Sequence, residues 1–260
     1  MKSNIEEINK AFSVQAKNFE SKKYHLSKKE LTDRIVNLTE PNKTDSVLEV
    51  AAGTCVCARA FAPFCDHVTC LDATPQMLAV GRAESEKAGI KNISFVVGNA
   101  ENLPFENEKF DIVISRLAFH HFVNPQKITF EMTRVLKTGG KLVMVDMTVH
   151  DEKLRNSVDE IERMRDPSHV KNLTVKEMNG LYEENLLKID MQEKMDVTVS
   201  FEEWTKLTKT PDSVKTELRD RMQCDINKTA NTALRPYIEN DNLYFLQPWV
   251  FTRGIKQVTP

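Results

Sequence analysis

Hydrophobic residues follow two different spacings along this chain of 260 residues. Up to residue 38 they recur at helical intervals, at Ile5, Ile8, Phe12, Ala16, Phe19, Leu31, Ile35 and Leu38. From Ser46 onward they form short apolar runs separated by helical stretches, namely SVLEVAA, HVTCLDA, ISFVVGN, FDIVISRL and KLVMVDM. This alternation predicts a mainly parallel sheet with helices on both faces.

The pattern also predicts an insertion of helices after Asp146 and two further strands. Core helices are expected over 57–64, 75–89 and 125–137, with Thr138-Gly139-Gly140 ending the last one. Beyond the core we expect helices over 151–164, 174–187, 201–209 and 211–229, the turn RDPSHV, and the strands KIDMQEKMDVTVS and NLYFLQPWVFTRG. Pro248 in the final strand favours a bulge or a sheet edge. We therefore divide one folding unit into an N-terminal helical lid (1–45), a core (46–150), and cap helices with the last two strands (151–260).

Net charge and the search for targeting signals limit the expected partners and cellular location of the protein. The 36 Lys and Arg residues against 38 Asp and Glu give a net charge of -2, without the basic excess typical of nucleic-acid binding. The N-terminal segment MKSNIEEINKAF lacks an apolar signal region, and no run approaches the roughly 18 apolar residues of a membrane span. We expect a cytoplasmic protein with a small-molecule partner, no nucleic acid and no membrane span, as a monomer or a homodimer.

The cysteines suggest a reducing compartment. Their number is odd, and Cys55, Cys57, Cys65 and Cys70 lie in one apolar neighbourhood instead of the spaced pattern of a disulfide framework. Cys55-Val-Cys57 lacks the two-residue gap of a zinc or thioredoxin motif, so no metal site is expected.

A candidate ligand crevice begins at the segment VLEVAAGTCVCARAF. It reads as a strand, a turn around Gly53 and a helix, and ligands of doubly wound sheets bind at the carboxyl ends of such strands. The next strand ends at Asp72, 19 residues after Gly53. This offset is close to the roughly 20 residues at which a carboxylate reaches ribose hydroxyls.

The turn favours S-adenosylmethionine (SAM) over a dinucleotide. Pyrophosphate binding needs G-x-G-x-x-G, but the three positions here hold Ala51, Gly53 and Val56. SAM has no phosphate, and its sulfonium and ammonium groups are cationic. A loop between the carboxylates of Glu49 and Asp72 suits that charge.

Several motifs together resemble a known family. Glu49-Val-Ala-Ala-Gly53-Thr is similar to a glycine-rich loop, Leu71-Asp72-Ala-Thr-Pro-Gln-Met77 to a ribose-binding segment, and Gly98-Asn99-Ala100-Glu101-Asn-Leu-Pro-Phe105 to an adenine-edge segment. FDIVISRLAFHH resembles the fourth strand with its substrate-side turn, and RVLKTGG the turn before strand five. Residues 46 to 147 thus resemble the class I SAM-dependent methyltransferases (methyltransferase type 11 family), particularly the branch of ubiquinone/menaquinone biosynthesis C-methyltransferases.

The resemblance implies a Rossmann-like α/β fold with a doubly wound, mainly parallel, seven-stranded sheet. The last strand would be antiparallel, and a helical cap would be inserted after strand five and before the last strand. The implied cofactor-binding residues are Glu49, Ala51, Gly53, Asp72, Ala73, Met77, Asn99, Ala100 and Ser115.

Three departures from the family pattern stand out. Ala51 and Cys55 occupy positions where the family usually has Gly, and Asn99 one where it usually has Asp. We expect Cys55 to adopt an ordinary backbone conformation, because the helix can begin there without a left-handed residue. The alternative is that Cys55 crowds the methionine end of SAM. Asn99 still offers an amide carbonyl to adenine N6.

Candidate catalytic residues are His120 and His121, where the fourth strand leaves the sheet, since an imidazole there can orient or deprotonate a nucleophile. Phe19 and His169 are candidates for the substrate side. The plainer alternatives are structural histidines, a capping role for Glu49 or Asp72, and core packing for Met77. Aromatic and Met residues of the lid and cap permit an apolar or aromatic acceptor, or form ordinary core: Phe12, Phe19, Tyr24, Phe119, Phe122, Met164, Met178 and Trp204.

The favoured function is methyl transfer from SAM to a small molecule, possible acceptors including aromatic or quinone-like compounds. Two other hypotheses stay open at this point. One is a non-catalytic SAM or nucleotide binder, suggested by Ala51 and Cys55. The other is an NAD(P)-dependent oxidoreductase, which the missing glycines disfavour.

Overall fold

A computed structural model of the protein describes Asn9, Phe12, Ser13 and residues 29–258. Phe19 and Tyr24 lie outside the described residues, and the boundaries of lid and cap stay predictions. The helices are α1 (Lys29–Thr39), α2 (Val56–Phe61), α3 (Pro75–Lys87), α4 (Pro125–Val135), α5 (Arg155–Arg165), α6 (Val175–Glu184), α7 (Phe201–Leu207) and α8 (Asp212–Ile226). The strands are β1 (Ser46–Val50), β2 (His67–Asp72), β3 (Ile93–Val97), β4 (Phe110–Arg116), β5 (Leu136–Met147), β6 (Leu187–Ser200), β7 (Tyr237–Glu239) and β8 (Asn242–Lys256).

One sheet contains all of these strands, in the order β3-β2-β1-β4-β5-β8-β6, with the short β7 paired to β8. Strands β1 to β5 are parallel, whereas β8 runs antiparallel to both β5 and β6. The Rossmann-like fold class is therefore confirmed, and β7 is a small addition to the predicted seven strands. The reversal of order at β1 and β4 is the switch point at which doubly wound sheets bind ligands.

Apolar residues on both faces of the strands account for the helices that cover the sheet. Val47 and Ile112 belong to a core with α1 and α2 on one face, and their neighbours Leu48 and Val113 to a core with α4 and α6 on the other. Fully buried parallel strands require this double cover.

A third core belongs to the helical insertion and not to the central sheet. It joins α5, α7 and α8 to the first half of β8, with Phe201, Trp204 and Phe245 at its centre. Trp204 and Phe245 stack edge to face, with ring centroids 5.0 Å apart. The cap thus has its own apolar support next to the carboxyl ends of β4 and β5.

Two predictions of local structure were wrong. Helix α4 ends at Val135, and Thr138-Gly139-Gly140 lies within β5, where the pairing with β4 shifts register. A Cβ at position 140 would come within 2.8 Å of the carbonyl oxygen of Asp111, so this glycine permits close approach of strands instead of capping a helix.

Pro248 also differs from the prediction of a sheet edge. Strand β8 lies between β5 and β6, and Pro248 pairs with Asp196 of β6. Its carbonyl accepts a hydrogen bond from Thr148 N at 2.8 Å, just past the last β5–β8 pair. The missing N–H therefore falls where that ladder ends, which is why a central strand tolerates the proline.

Candidate cofactor and acceptor site

The turn between β1 and α2 holds three alternate residues in the left-handed region. The φ angles are 55° at Ala51, 53° at Gly53 and 60° at Cys55. The expectation of an ordinary conformation for Cys55 was therefore wrong. Hydrogen bonds from Ala52 N to Leu71 O and from Cys55 N to Ala52 O fix the turn. These tertiary bonds offset the roughly 1–2 kcal/mol that a non-glycine residue loses in this conformation.

The side chain of Cys55 points into the core. It is fully buried, and a Cβ built on Gly81 of α3 would lie 2.7 Å from its Sγ. Gly81 thus leaves the space that the thiol fills, which argues against crowding of the crevice by Cys55.

Glu49 caps the N-terminus of α2. Its Oε2 accepts a hydrogen bond from Ala58 N at 2.8 Å, whereas the residue at the N-cap position, Cys55, makes no side-chain capping bond. Burial raises the pKa of Glu49 to about 7, against the lowering effects of Arg116 and of the Ala58 N–H. The capping alternative is thus realised, and a contact with the cofactor stays a prediction.

Asp72 joins the two turns that border the crevice. Its Oδ2 accepts a hydrogen bond from Gly53 N at 2.7 Å and its Oδ1 one from Thr74 N at 2.8 Å. Burial raises the pKa of Asp72, and the two N–H donors offset part of that rise. The carboxylate lies at the end of β2, as the spacing to Gly53 predicted.

The other predicted cofactor residues differ in their burial and in their contacts. Met77 is buried on α3, and its Cε lies 3.4 Å from where a Cβ on Gly53 would stand. Asn99 Oδ1 already accepts a hydrogen bond from Glu101 N at 2.9 Å. Ala73 is half-buried directly after Asp72, whereas Ala100 follows Asn99 and is buried. Ser115 is fully buried on β4, with no partner for its hydroxyl among the described residues.

Described residues of the N-terminal segment contact the start of α3 and the histidines. Thr74 Oγ1 lies 2.8 Å from Asn9 Oδ1, and Ser13 Oγ lies 3.1 Å from Gln76 Oε1. The ring of Phe12 meets that of His121 edge-on, with centroids 5.1 Å apart. These contacts place the three described residues of the segment beside both sets of candidate residues.

The turn and its carboxylates suit SAM. The turn adopts the conformations of a glycine-rich loop at positions 51, 53 and 55, and Gly53 has no side chain to fill the space beside Met77. Among the described residues, Asp72 is bound by the backbone N–H groups of Gly53 and Thr74 and by the Thr74 side chain, and no basic side chain there pairs with it. Sheet order, turn and carboxylate together agree with the SAM-dependent class that the sequence motifs predict.

His120 forms a buried pair with Asp146 at the carboxyl ends of β4 and β5. Its Nδ1 lies 2.6 Å from Asp146 Oδ1. The carboxylate also accepts the backbone N–H groups of Ala118, Phe119 and Met147. Burial raises the pKa of Asp146, but the imidazole and these donors outweigh burial and hold the pKa below its usual value. An ionised Asp146 fixes the proton of neutral His120 on Nδ1 and leaves Nε2 as the basic nitrogen.

His121 and His169 complete a cluster with His120, which we call the histidine cluster. The centroid of the His120 ring is 4.1 Å from that of His121 and 5.6 Å from that of His169. His121 Nδ1 donates to Ser168 O at 3.0 Å, and burial, then the neighbouring His120, lowers the pKa of His121 well below its usual value. No group of three or more metal-ligating side chains within the described part of the chain could hold a metal ion.

His169 has a carboxylate partner that the sequence did not reveal. Its Nε2 lies 2.9 Å from Asp159 Oδ1, which also accepts from the backbone and side-chain nitrogens of Asn172. Asp146 could have been found, since it ends an apolar strand as Asp72 does. Asp159 lies on a polar helix, α5, where nothing in the sequence distinguishes it from its charged neighbours.

Comparisons with known proteins agree with the class. The family model described as "Methyltransferase domain" matches residues 48–144. The uncharacterized methyltransferase YcgJ of Bacillus subtilis (strain 168) is 31% identical over 201 residues, covering 77% of this chain and 79% of that protein. The solved structure of YcgJ has a TM-score of 0.81 at 27% identity, covering 88% of this chain and 99% of the other.

Two further relatives extend the comparison. The uncharacterized protein YafE of Escherichia coli (strain K12) is 32% identical over 180 residues, covering 68% of this chain and 84% of that protein. A demethylmenaquinone methyltransferase of Clavibacter sepedonicus is 35% identical over 108 residues, covering 42% of this chain and 43% of that protein. The chain belongs to the methyltransferase domain family and is a SAM-dependent methyltransferase. The oxidoreductase and non-catalytic hypotheses are thereby set aside.

Proposed function

We propose that the protein methylates a small molecule at an ionisable hydroxyl, amine or thiol group held beside the histidine cluster. The observation that carries this proposal is the buried Asp146–His120 pair. It lies at the carboxyl ends of the strands next to the switch point, where acceptors of a doubly wound enzyme meet the cofactor.

His120 acts as the general base in this proposal. Bound SAM would supply an electrophilic methyl group on its sulfonium, with S-adenosylhomocysteine as the leaving group. His120 Nε2 would take the proton of the acceptor group as that group is methylated. Asp146 is a positioning residue, because its carboxylate holds the imidazole in the productive tautomer and stabilises the charge that it gains.

The cofactor residues hold SAM in this proposal. Asp72 binds the ribose hydroxyls, and Met77 packs against adenine. Glu49 lies near the methionine end of the crevice. The proposed lining also includes Ala51, Gly53, Ala73, Asn99, Ala100 and Ser115.

Several observations support an aromatic or quinone-like acceptor. Phe119 and Phe122 stack edge to face after β4, with centroids 5.2 Å apart, and Phe12 meets His121. A relative named for demethylmenaquinone is 35% identical over 108 residues. His121 supports the acceptor side in this proposal by holding Ser168 through its Nδ1.

The proposal also covers the partners of the enzyme and its location in the cell. A nearly balanced net charge of -2 favours small molecules over nucleic acid as partners. All five cysteines are free, which suits the reducing cytoplasm. None of the described helices is long and apolar enough to cross a bilayer.

A turnover screen tests the proposal. Purified protein with methyl-labelled SAM would be offered phenols, quinols, amines and thiols, and labelled products would be separated and identified. We expect label in at least one small acceptor and a loss of that turnover in His120→Gln. Label only in added nucleic acid or protein would contradict the proposed acceptor class.

A further inference from the structure

The imidazole of His169 carries a buried nitrogen that nothing described in the protein satisfies. Its side chain is fully buried, and its Nδ1 has no hydrogen-bond partner among the described residues. A buried polar atom without a partner costs about 1–3 kcal/mol, so native proteins keep few of them. Those that remain call for an explanation.

The partners of Asp159 fix which proton His169 carries. Asp159 Oδ1 accepts from Asn172 N at 2.8 Å and from Asn172 Nδ2 at 3.0 Å, so this oxygen is an acceptor. His169 Nε2 at 2.9 Å must then be the donating nitrogen. The hydrogen position follows from these partners. In the neutral ring, Nδ1 is therefore an unprotonated nitrogen that can only accept.

His169 lies next to His120, the proposed general base. Its ring lies 5.6 Å from that of His120, and the two planes differ by 29°. The two rings are neighbours, so a molecule bound with its ionisable group at His120 would lie close to His169. Asp159 holds His169 as Asp146 holds His120, but on the opposite nitrogen of the ring.

We propose that His169 is a specificity-determining residue whose Nδ1 accepts a hydrogen bond from a second hydroxyl or N–H group of the methyl acceptor. Asp159 is its positioning residue. The inference rests on the proposed function, and it narrows the acceptor to molecules with two donor groups, of which one is methylated near His120 and the other is recognised. A site built to pair with a substrate donor rejects analogues that lack it, since the buried acceptor then stays unpaired.

His169→Gln separates recognition from folding. The amide nitrogen of Gln can replace Nε2 as the donor to Asp159, but Gln has no acceptor in the place of Nδ1. His169→Asn does the reverse. Its shorter side chain places the amide near the position of Nδ1, where the amide oxygen can accept a hydrogen bond, but it does not reach the position of Nε2. His67→Gln is the matched control, since His67 begins β2 at the far end of the sheet and pairs with Ser94 Oγ at 2.7 Å.

The kinetic experiment compares acceptors that differ by one donor. kcat/KM would be measured for phenol and 4-methoxyphenol against catechol, hydroquinone and 4-aminophenol. We expect the wild-type protein and His67→Gln to favour two-donor acceptors by roughly tenfold or more. His169→Gln should lose this preference, because its kcat/KM should fall far more for two-donor than for one-donor acceptors, and His169→Asn should restore part of it.

A second measurement needs no acceptor. Nitrogen NMR of labelled protein, with His169 assigned by its loss in His169→Gln, should show a protonated Nε2 and an unprotonated Nδ1. A proton on Nδ1 would overturn the inference. So would an equal loss of rate on one-donor and two-donor acceptors in His169→Gln, because a structural role predicts that result.

The two proposals fail in distinguishable ways. Turnover on the panel without a preference for two-donor acceptors contradicts only the role of His169. No turnover of any small acceptor contradicts the proposed function, and with it the inference that rests on it, whichever tautomer His169 shows.

Discussion

The proposed cofactor half and the proposed acceptor half of this site differ in how far along the chain their residues' partners lie. Glu49 caps a helix only 9 residues ahead, and Asp72 binds a turn 19 residues behind. In the acceptor half, His120 meets Asp146 across 26 residues and His121 meets Ser168 across 47. The carboxylates of the first half lie within residues 49–72, whereas the second half is assembled from β4, β5 and the inserted cap.

Because its residues come from distant parts of the chain, the acceptor half is the one whose chemistry can change more easily. The cofactor turn is fixed by hydrogen bonds within the core, between the turn after β1 and the end of β2. The histidine cluster depends on the cap, which has its own core around Trp204. Substitutions in the cap can therefore alter acceptor binding while the cofactor half stays intact.

The largest effect is expected for His120→Gln, which removes the proposed base. We expect kcat to fall by about a hundredfold or more, as for loss of a general base, with unchanged affinity for SAM. Single-turnover kinetics and calorimetric titration measure the two quantities. Asp146→Asn should also lower kcat, by disturbing the tautomer of His120. If kcat stays within about threefold of wild type in His120→Gln, His120 is not the general base and the proposed acceptor half is wrong.

Glu49→Gln should change how stability depends on pH. The folded pKa of about 7 lies above the ordinary value of 4.5, so the folded protein binds the proton more tightly than the unfolded chain. The free energy of unfolding should therefore fall as the pH rises from about 4.5 to about 7, by as much as about 3 kcal/mol.

The variant should lack that fall, because its amide stays uncharged and still accepts from Ala58 N. Urea unfolding without SAM at pH 5 and pH 8 gives the comparison, and we expect the gain over wild type only at pH 8. Equal gains at both pH values would show that charge on Glu49 is not the cause.

Asp72→Ala tests whether Asp72 contributes to the binding of SAM. Two backbone N–H groups lose their acceptor along with the proposed ribose contact, so SAM affinity should weaken by about 1–3 kcal/mol. Calorimetric titration measures this loss, and circular dichroism checks that the variant is folded. Asp72→Asn should lose less, since one amide oxygen remains. Unchanged SAM affinity in a folded Asp72→Ala would remove this residue from the binding site.

The smallest effects are expected in the left-handed turn. Ala51→Gly should raise the free energy of unfolding by about 0.5–1 kcal/mol, because relief at φ 55° exceeds the added entropy of the unfolded chain. Cys55→Gly should gain less, since it also removes a fully buried thiol. Thermal unfolding ranks the two variants. A larger gain at position 55 than at position 51 would mean that the Cys55 side chain is strained against Gly81.

Local patterns gave correct predictions where hydrogen bonds and apolar faces are decided by near neighbours. The parallel strands, the position of Asp72 and the helix starting at Pro75 all follow from short apolar runs and turn residues. Predictions failed where a distant strand decided the outcome. Gly139-Gly140 looks like a helix end but lies in β5, because pairing with β4 outweighs the local signal.

The sequence by itself determined the class of fold, the cofactor and the segment that carries the cofactor turn, since those depend on period, spacing and residue type. Tertiary structure alone decided that Cys55 is left-handed, because the bond from Ala52 N to Leu71 O fixes the turn from outside it. It also decided which carboxylate each histidine meets. Asp146 and Asp159 reach their imidazoles through the packing of β5 and α5, and spacing along a chain does not encode such long-range partners.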